Sequence, residues 1–150
     1  MPDLLDLRHR LEYGALRLII GLVRLMPLET AVAASARTWR LLAPYGRRQR
    51  RALDNIARAY PDMPHGERRR IVLAMWGNLG RVMAETMQMD RVLADPARID
   101  FVDDPIIGRY RQKMGAFVGV TLHMGNWELT MWPFTQWGAR PAAVYRLVKN

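Results

Sequence analysis

The chain has 150 residues, half of them hydrophobic, and carries 23 Lys and Arg against 14 Asp and Glu, for a formal net charge of +9. That length makes one domain the expectation, and the apolar fraction is ample for a core. The absence of Cys excludes disulfides, thiolate metal sites and a cysteine nucleophile, and fits a reducing compartment.

The cationic residues are nearly all Arg: only Lys113 and Lys149 are Lys, and 14 of the 21 Arg fall in the first 70 residues. Such asymmetry predicts an anionic partner, whether nucleic acid, a membrane surface or a phosphorylated substrate. Asp3, Asp6 and Glu12 crowd the start, against the pattern of a signal peptide. Residues 11–28, LEYGALRLIIGLVRLMPL, are the most apolar N-terminal segment, but Arg17 and Arg24 break the run that a simple spanning helix needs. Arg10, Arg17 and Arg24 are spaced by seven. On a helix they stay within about 40° of one another, a basic stripe beside Leu- and Ile-rich faces. That is the pattern of a helix lying in a membrane interface; a core helix with one solvated basic edge shares it.

Pro27 and Glu29 mark a break. Residues 30–43 read as a second helix, ended by Pro44 and Gly46. Residues 47–60 form a basic helix with Leu53, Ile56 and Tyr60 inward. Pro61–Gly66 is a loop. Residues 67–89 form a long helix with Ile71, Met75, Leu79, Val82, Met83 and Thr86 at core spacing, the methionines as filler. A turn at Asp95–Pro96, a short strand at Ile99–Val102 and a helix at Pro105–Met114 follow. Arg sits on amphipathic helices without a recognisable nucleic-acid module, so nucleic acid is not the expected partner.

The stretch Ala116–Glu128, AFVGVTLHMGNWE, concentrates the chemistry. Ala116–Leu122 is a short apolar run after Gly115, which predicts a buried strand. His123 ends it, Gly125 and Asn126 supply a tight turn, and a buried helix is expected from Trp127 to about Gln136. A Gly138 turn and a strand at Ala142–Arg146 close the reading. His123 and Glu128 on one helix would stand about 140° apart, whereas a turn between them can bring carboxylate to imidazole. An imidazole near its ordinary pKa is a competent general base at neutral pH, and a carboxylate on its other nitrogen fixes the tautomer and stabilises the imidazolium. Ser35 is the only Ser and lies far away in sequence, so a serine acyl-enzyme is not expected. Thr121 is the one hydroxyl close by. The proton that His123 would take belongs to a substrate hydroxyl or water. The competing reading is a histidine closing a strand and a glutamate in the first turn of a helix, where carboxylates are favoured anyway.

Asn126, Arg146 and Lys149 are assigned to substrate binding. Arg146 and Lys149 would lie at a strand end on the His123 side, placed for a phosphate; a solvated basic tail is the alternative. His9 and His65 have no partner at ligand spacing. No H-E-x-x-H pair, Walker loop or dinucleotide fingerprint occurs, so neither a metal nor a cofactor is expected.

The string HMGNWEL resembles the H-x4-D/E motif of the bacterial lipid A biosynthesis lauroyl/myristoyl acyltransferases. Arg50–Pro61, RRALDNIARAYP, is similar to the family's basic, Asn-containing, Pro-terminated segment. Val144–Asn150, VYRLVKN, is similar to V-Y-R-P-x-K-N, with Leu147 in place of the usual Pro. The resemblance runs from about residue 10 to the end. It implies an α/β fold: a helical N-terminal region, then the first half of a sheet domain like that of glycerolipid acyltransferases. The expected plan is an interfacial anchoring helix at 1–28, a helical region at 29–90, and a partial α/β catalytic domain at 91–150. The resemblance also implies the activity, O-acyl transfer from acyl-carrier protein to a hydroxyl of a lipid A precursor. His123 would be the general base and Glu128 its partner. Related enzymes with H-x-G-N-W-D/E acylate other glycolipids, such as mannosylated phosphoinositides, and a truncated membrane-surface relative is a further alternative. The implied location is the cytoplasmic face of the bacterial inner membrane, peripheral or monotopic, with contact to its anionic surface. The resembling enzymes are longer, with later motifs that would follow Asn150. The chain is therefore expected to be an N-terminal fragment with little turnover alone.

Overall fold

The computed structural model describes residues 4–100, 108–109, 112, 115–116, 118–122 and 124–144. The chain divides into two units, Met1–Arg98 and Ile99–Asn150. The first is all helix: α1 Leu4–Leu25, α2 Leu28–Leu42, α3 Arg48–Ala59, α4 His65–Met87 and α5 Met89–Ala94, with short 3-10 turns at Ala43–Tyr45 and Pro96–Arg98. Pro27 and Pro64 stand at the N-caps of α2 and α4, where a missing N–H is harmless because first-turn amides lack an intrahelical acceptor.

The unit is built on the crossing of α2 and α4. A Cβ on Gly80 would lie 2.7 Å from the Ser35 carbonyl oxygen and 2.9 Å from Trp39 Cδ1. Only glycine admits so close an approach, and it lets the Ser35 hydroxyl donate to the Gly80 carbonyl at 2.7 Å. Ala31 and Ala36 of α2 and Val72, Trp76 and Ala84 of α4 are buried. Trp39 stacks on Trp76 with ring centroids 6.1 Å apart, and the buried Trp76 indole N–H donates to Gln49 Oε1 at 2.6 Å, tying α3 to the pair. Glu29 at the start of α2 pairs with Arg98 at 2.6 Å, which fastens the last 3-10 turn to the bundle.

α1 joins this bundle by its last turn. Gln88, fully buried between α4 and α5, donates to the Val23 carbonyl at 2.9 Å. Arg91 donates to the carbonyls of Arg24 at 2.7 Å and Met26 at 2.8 Å, and to Gln88 Oε1 at 2.6 Å. These donors satisfy carbonyls that the end of a helix leaves without partners. Arg24 answers in the other direction. It donates to the Met87 carbonyl at 3.1 Å and grips Asp90 with both terminal nitrogens, at 2.9 and 2.7 Å. The hydrogen-bonded guanidinium holds the Asp90 carboxyl below its ordinary range. Arg24 is thus a structural residue and not a free member of a basic stripe; Arg10 is paired too, with Asp6 at 3.0 Å.

Three expectations are corrected. The chain was expected to be α/β, with a sheet domain after the helices; the described residues are helical and irregular and contain no strand. In the run Ala116–Leu122, expected as a buried strand, Val118 and Val120 are more than nine-tenths exposed and Leu122 is 73% exposed. Val144, expected in a strand at Ala142–Arg146, is fully exposed, and Ile99 and Asp100 form no element. An apolar run signals a wish for burial but does not supply the neighbouring strand whose N–H and C=O groups make a ladder. Second, Met75, Leu79 and Met83 of α4 are exposed to solvent while Val72, Trp76, Gly77, Gly80 and Ala84 face inward. Close backbone approach and the tryptophan stack select that face over the stripe of larger side chains. Third, Tyr60 is exposed. It caps α3 at φ −134° and so leaves the helical stripe that Leu53 and Ile56 follow.

The crossing yields a test with two signs. Gly80→Ala meets backbone, so overpacking of about 1–3 kcal/mol outweighs the roughly 1 kcal/mol that alanine adds in a helix. At Gly77 a Cβ would crowd Arg40 Cδ and Cγ, at 2.9 and 3.1 Å, where a long side chain can swing away, and would meet the Ala36 carbonyl oxygen only at an ordinary 3.9 Å. Gly77→Ala should therefore be neutral or stabilising by up to about 1 kcal/mol. Urea midpoints of the two variants would check the opposite signs.

Candidate functional site

The motif stretch lies in the second unit, from Ile99 onward. The Met124 amide donates to the Leu122 carbonyl at 2.8 Å. Gly125 follows in the left-handed region, φ +55°, with nothing within 4 Å of where a Cβ would stand. The conformation, and not crowding, is what asks for glycine there. Asn126 takes the N-cap position of a 3-10 turn, Trp127–Met131, without capping it by its side chain; the Leu129 amide closes on the Asn126 carbonyl at 3.1 Å. Glu128 is exposed in the first turn, as expected from the sequence, where a carboxylate faces unpaired helical amides. It has no hydrogen-bond or ion-pair partner among the described residues.

The turn runs straight into α6, Trp132–Gln136, with Pro133 buried at its first residues. Phe134 and Trp137 meet edge to face with centroids 5.4 Å apart. Thr130 and Thr135 return their hydroxyls to the Trp127 and Trp132 carbonyls at 2.7 and 2.6 Å. The Gly138 amide reaches the Thr135 carbonyl at 3.1 Å, and Gly138 itself, φ +77°, ends the helix. The expected turns at Gly125–Asn126 and Gly138 are present; the buried helix expected from Trp127 to about Gln136 is instead a 3-10 turn with no buried residue followed by a five-residue α-helix in which only Pro133 is buried.

Of the assigned site residues the structure describes Asn126 and Glu128. His123, Arg146 and Lys149 lie outside the described residues. Ser35, set aside as a nucleophile, has its hydroxyl committed to Gly80. Among the described residues no group of three or more His, Asp or Glu comes together in a way that would hold a metal ion.

The model of the family described as Bacterial lipid A biosynthesis acyltransferase matches residues 6–150. The chain belongs to this family. It is an acyltransferase, and HMGNWE lies well inside the matched span. No curated protein and no solved structure matches it. Two features went unread in the sequence of this acyltransferase. The structural commitment of Arg24 and Arg91 was hidden because their partners are more than 60 residues away. The inward face of α4 was hidden because glycines carry no hydrophobic signal.

The Gly125 turn is testable by itself. Gly125→Ala should destabilise the second unit by about 1–2 kcal/mol, the usual charge for an L-residue in left-handed backbone. Gly125→Asn should lose less, since Asn visits that region more readily. Hydrogen exchange at the Leu129 and Thr130 amides reads the local loss directly; equal protection in the alanine variant and the parent would refute the reading.

Proposed function

We propose that this acyltransferase moves a fatty acyl chain from an acyl-carrier-protein thioester to a hydroxyl of a lipid A precursor, with His123 as general base and Glu128 as its orienting carboxylate. The observation that carries the reading is the HMGNWE string inside a family match from residue 6 to residue 150. The acceptor oxygen attacks the thioester carbonyl as His123 takes its proton. The tetrahedral intermediate collapses, the C–S bond breaks, and the carrier thiol leaves with the proton returned by the imidazolium. Glu128 stabilises that imidazolium by charge and fixes the tautomer that accepts the proton. Asn126, Arg146 and Lys149 are proposed to hold the acceptor, the two cations on its phosphates. The position of Glu128 supports the reading: it follows the Gly125 turn, in the first turn of Trp127–Met131, and its carboxylate is exposed.

Rates of acyl transfer test the pair. His123→Ala should lose about 10²–10⁴-fold, and Glu128→Ala nearly as much. The double variant should be little worse than His123→Ala alone, because Glu128 acts through the imidazole. Glu128→Asp should retain more activity than Glu128→Gln, since shortening keeps the charge. Near-parental transfer by folded His123→Ala would end the mechanism; losses that multiply would break the pairing.

The same reading places the protein on the cytoplasmic face of the inner membrane, held by α1. Leu7, Leu11, Leu18, Leu22 and Leu25 fall within about 60° of one another on a helix, and all five are 52–83% exposed. The bundle-facing side, with Val23 and Arg24, lies elsewhere on the cylinder. A leucine stripe left to solvent beside basic residues suits the headgroup–acyl boundary. No described helix is long and apolar enough to cross a membrane. Because Val23, Arg24 and Leu28 belong to the bundle, an informative deletion stops short of them. Removing residues 1–18 should shift the protein from the membrane pellet toward the soluble fraction with the bundle's circular dichroism otherwise kept. Unchanged pelleting would refute the anchor.

A further inference from the structure

Beyond α1, the turn between α2 and α3 presents a second surface that the fold leaves uncovered. Leu41, Leu42 and Tyr45 are 69%, 65% and 89% exposed. They sit on the last turn of α2 and the 3-10 turn Ala43–Tyr45. Tyr45 follows Leu42 by three residues and Leu41 by four, both neighbour spacings on a helix, so the three side chains spread over about 100° of one side. The chain then enters α3, whose described inner positions include Leu53 and Ile56. Arg48, Arg51 and Arg58 fall within about 80° on its opposite, exposed side, and Arg47 precedes them. None of these four has an acidic partner among the described residues; the nearby Asp54 is taken by Arg50 at 3.9 Å.

We propose that Leu41, Leu42 and Tyr45 insert into the headgroup–acyl boundary of an anionic bilayer while Arg47, Arg48, Arg51 and Arg58 bind its headgroups, a second membrane contact besides α1. An unneutralised arginine face alone would suit any acidic partner. Three large apolar side chains standing out of a turn beside it select a bilayer over an acidic protein. Leucine gains by leaving water, and tyrosine favours the interface, where its ring is buried and its hydroxyl stays wet. The proposal deepens the membrane reading of α1 and rests on it for the presence of a bilayer at this protein.

The test uses the whole chain, which has no Cys and so accepts one label at a chosen place. Tyr45→Cys carrying an environment-sensitive fluorophore reports on the turn, and Leu11→Cys with the same label reports on α1. The probes are phosphatidylcholine vesicles with and without one quarter phosphatidylglycerol. The label at position 45 should brighten, shift blue and be quenched by nitroxide on the acyl chains, and only when phosphatidylglycerol is present. Replacing Arg48, Arg51 and Arg58 together by Gln should weaken binding about a hundredfold, at roughly fivefold for each guanidinium near an anionic surface. A label at 45 that stays in water while the label at 11 responds would overturn the proposal and leave the α1 anchor standing. Silence at both positions would overturn both. A response at 45 to a purified acidic carrier protein, with none to vesicles, would assign the surface to a protein and overturn the bilayer.

Discussion

The contact of the Gly80 backbone with Ser35 is the constraint on which the first unit rests. With no side chain at Gly80, the main chains of α2 and α4 come within van der Waals contact, and the Ser35 hydroxyl crosses to a carbonyl already inside a helix. That spacing lets Trp39 lie over Trp76 and puts the indole N–H within reach of Gln49. Dispersion between close-packed groups is small per atom pair and large in sum, and it falls quickly with any gap. Few large side chains are buried here, so the bundle depends on closeness more than on apolar volume.

The second organising contact is the exchange of caps between α1 and the α4–α5 junction. Gln88 is the one fully buried polar side chain named among the described residues, and its amide is satisfied on both sides, by the Val23 carbonyl and by Arg91. Burying such a group is tolerable only with its hydrogen bonds made. The Arg24–Asp90 pair beside it is about half exposed on both partners and adds direction more than energy. This junction also leaves the leucine stripe of α1 outside the bundle.

Element boundaries were legible in the sequence where proline and glycine punctuate it. Pro27, Pro44 with Gly46, Pro64 and Gly138 all stand where helices begin or end. Within the motif stretch, the Gly125 turn and a helical segment ending near Gln136 were readable for the same reason, but not that its first part is a 3-10 turn or that only Pro133 is buried. Which face of α4 turns inward was not, because Met75, Leu79 and Met83 form the stronger hydrophobic pattern while Gly77 and Gly80 form the closer contact. That the described residues form no sheet was not legible either: the apolar run before His123 reads as a strand by composition, yet pairing is a property of two segments and no single run contains it. Of the site, the local frame of Asn126 and Glu128 followed from turn chemistry. Their assigned roles came from resemblance to a family, which spacing cannot replace.

One feature of α1 sets a mechanical scale. The helix has 22 residues and spans about 33 Å at 1.5 Å per residue, yet the bundle grips it by the carbonyls of its final turn. It is therefore a cantilever. A tilt of about 10° at the gripped end would carry the far tip through roughly 6 Å over that length. An arm held only at its root turns a small rotation there into a large displacement at its tip, while the remaining helices keep their own packing.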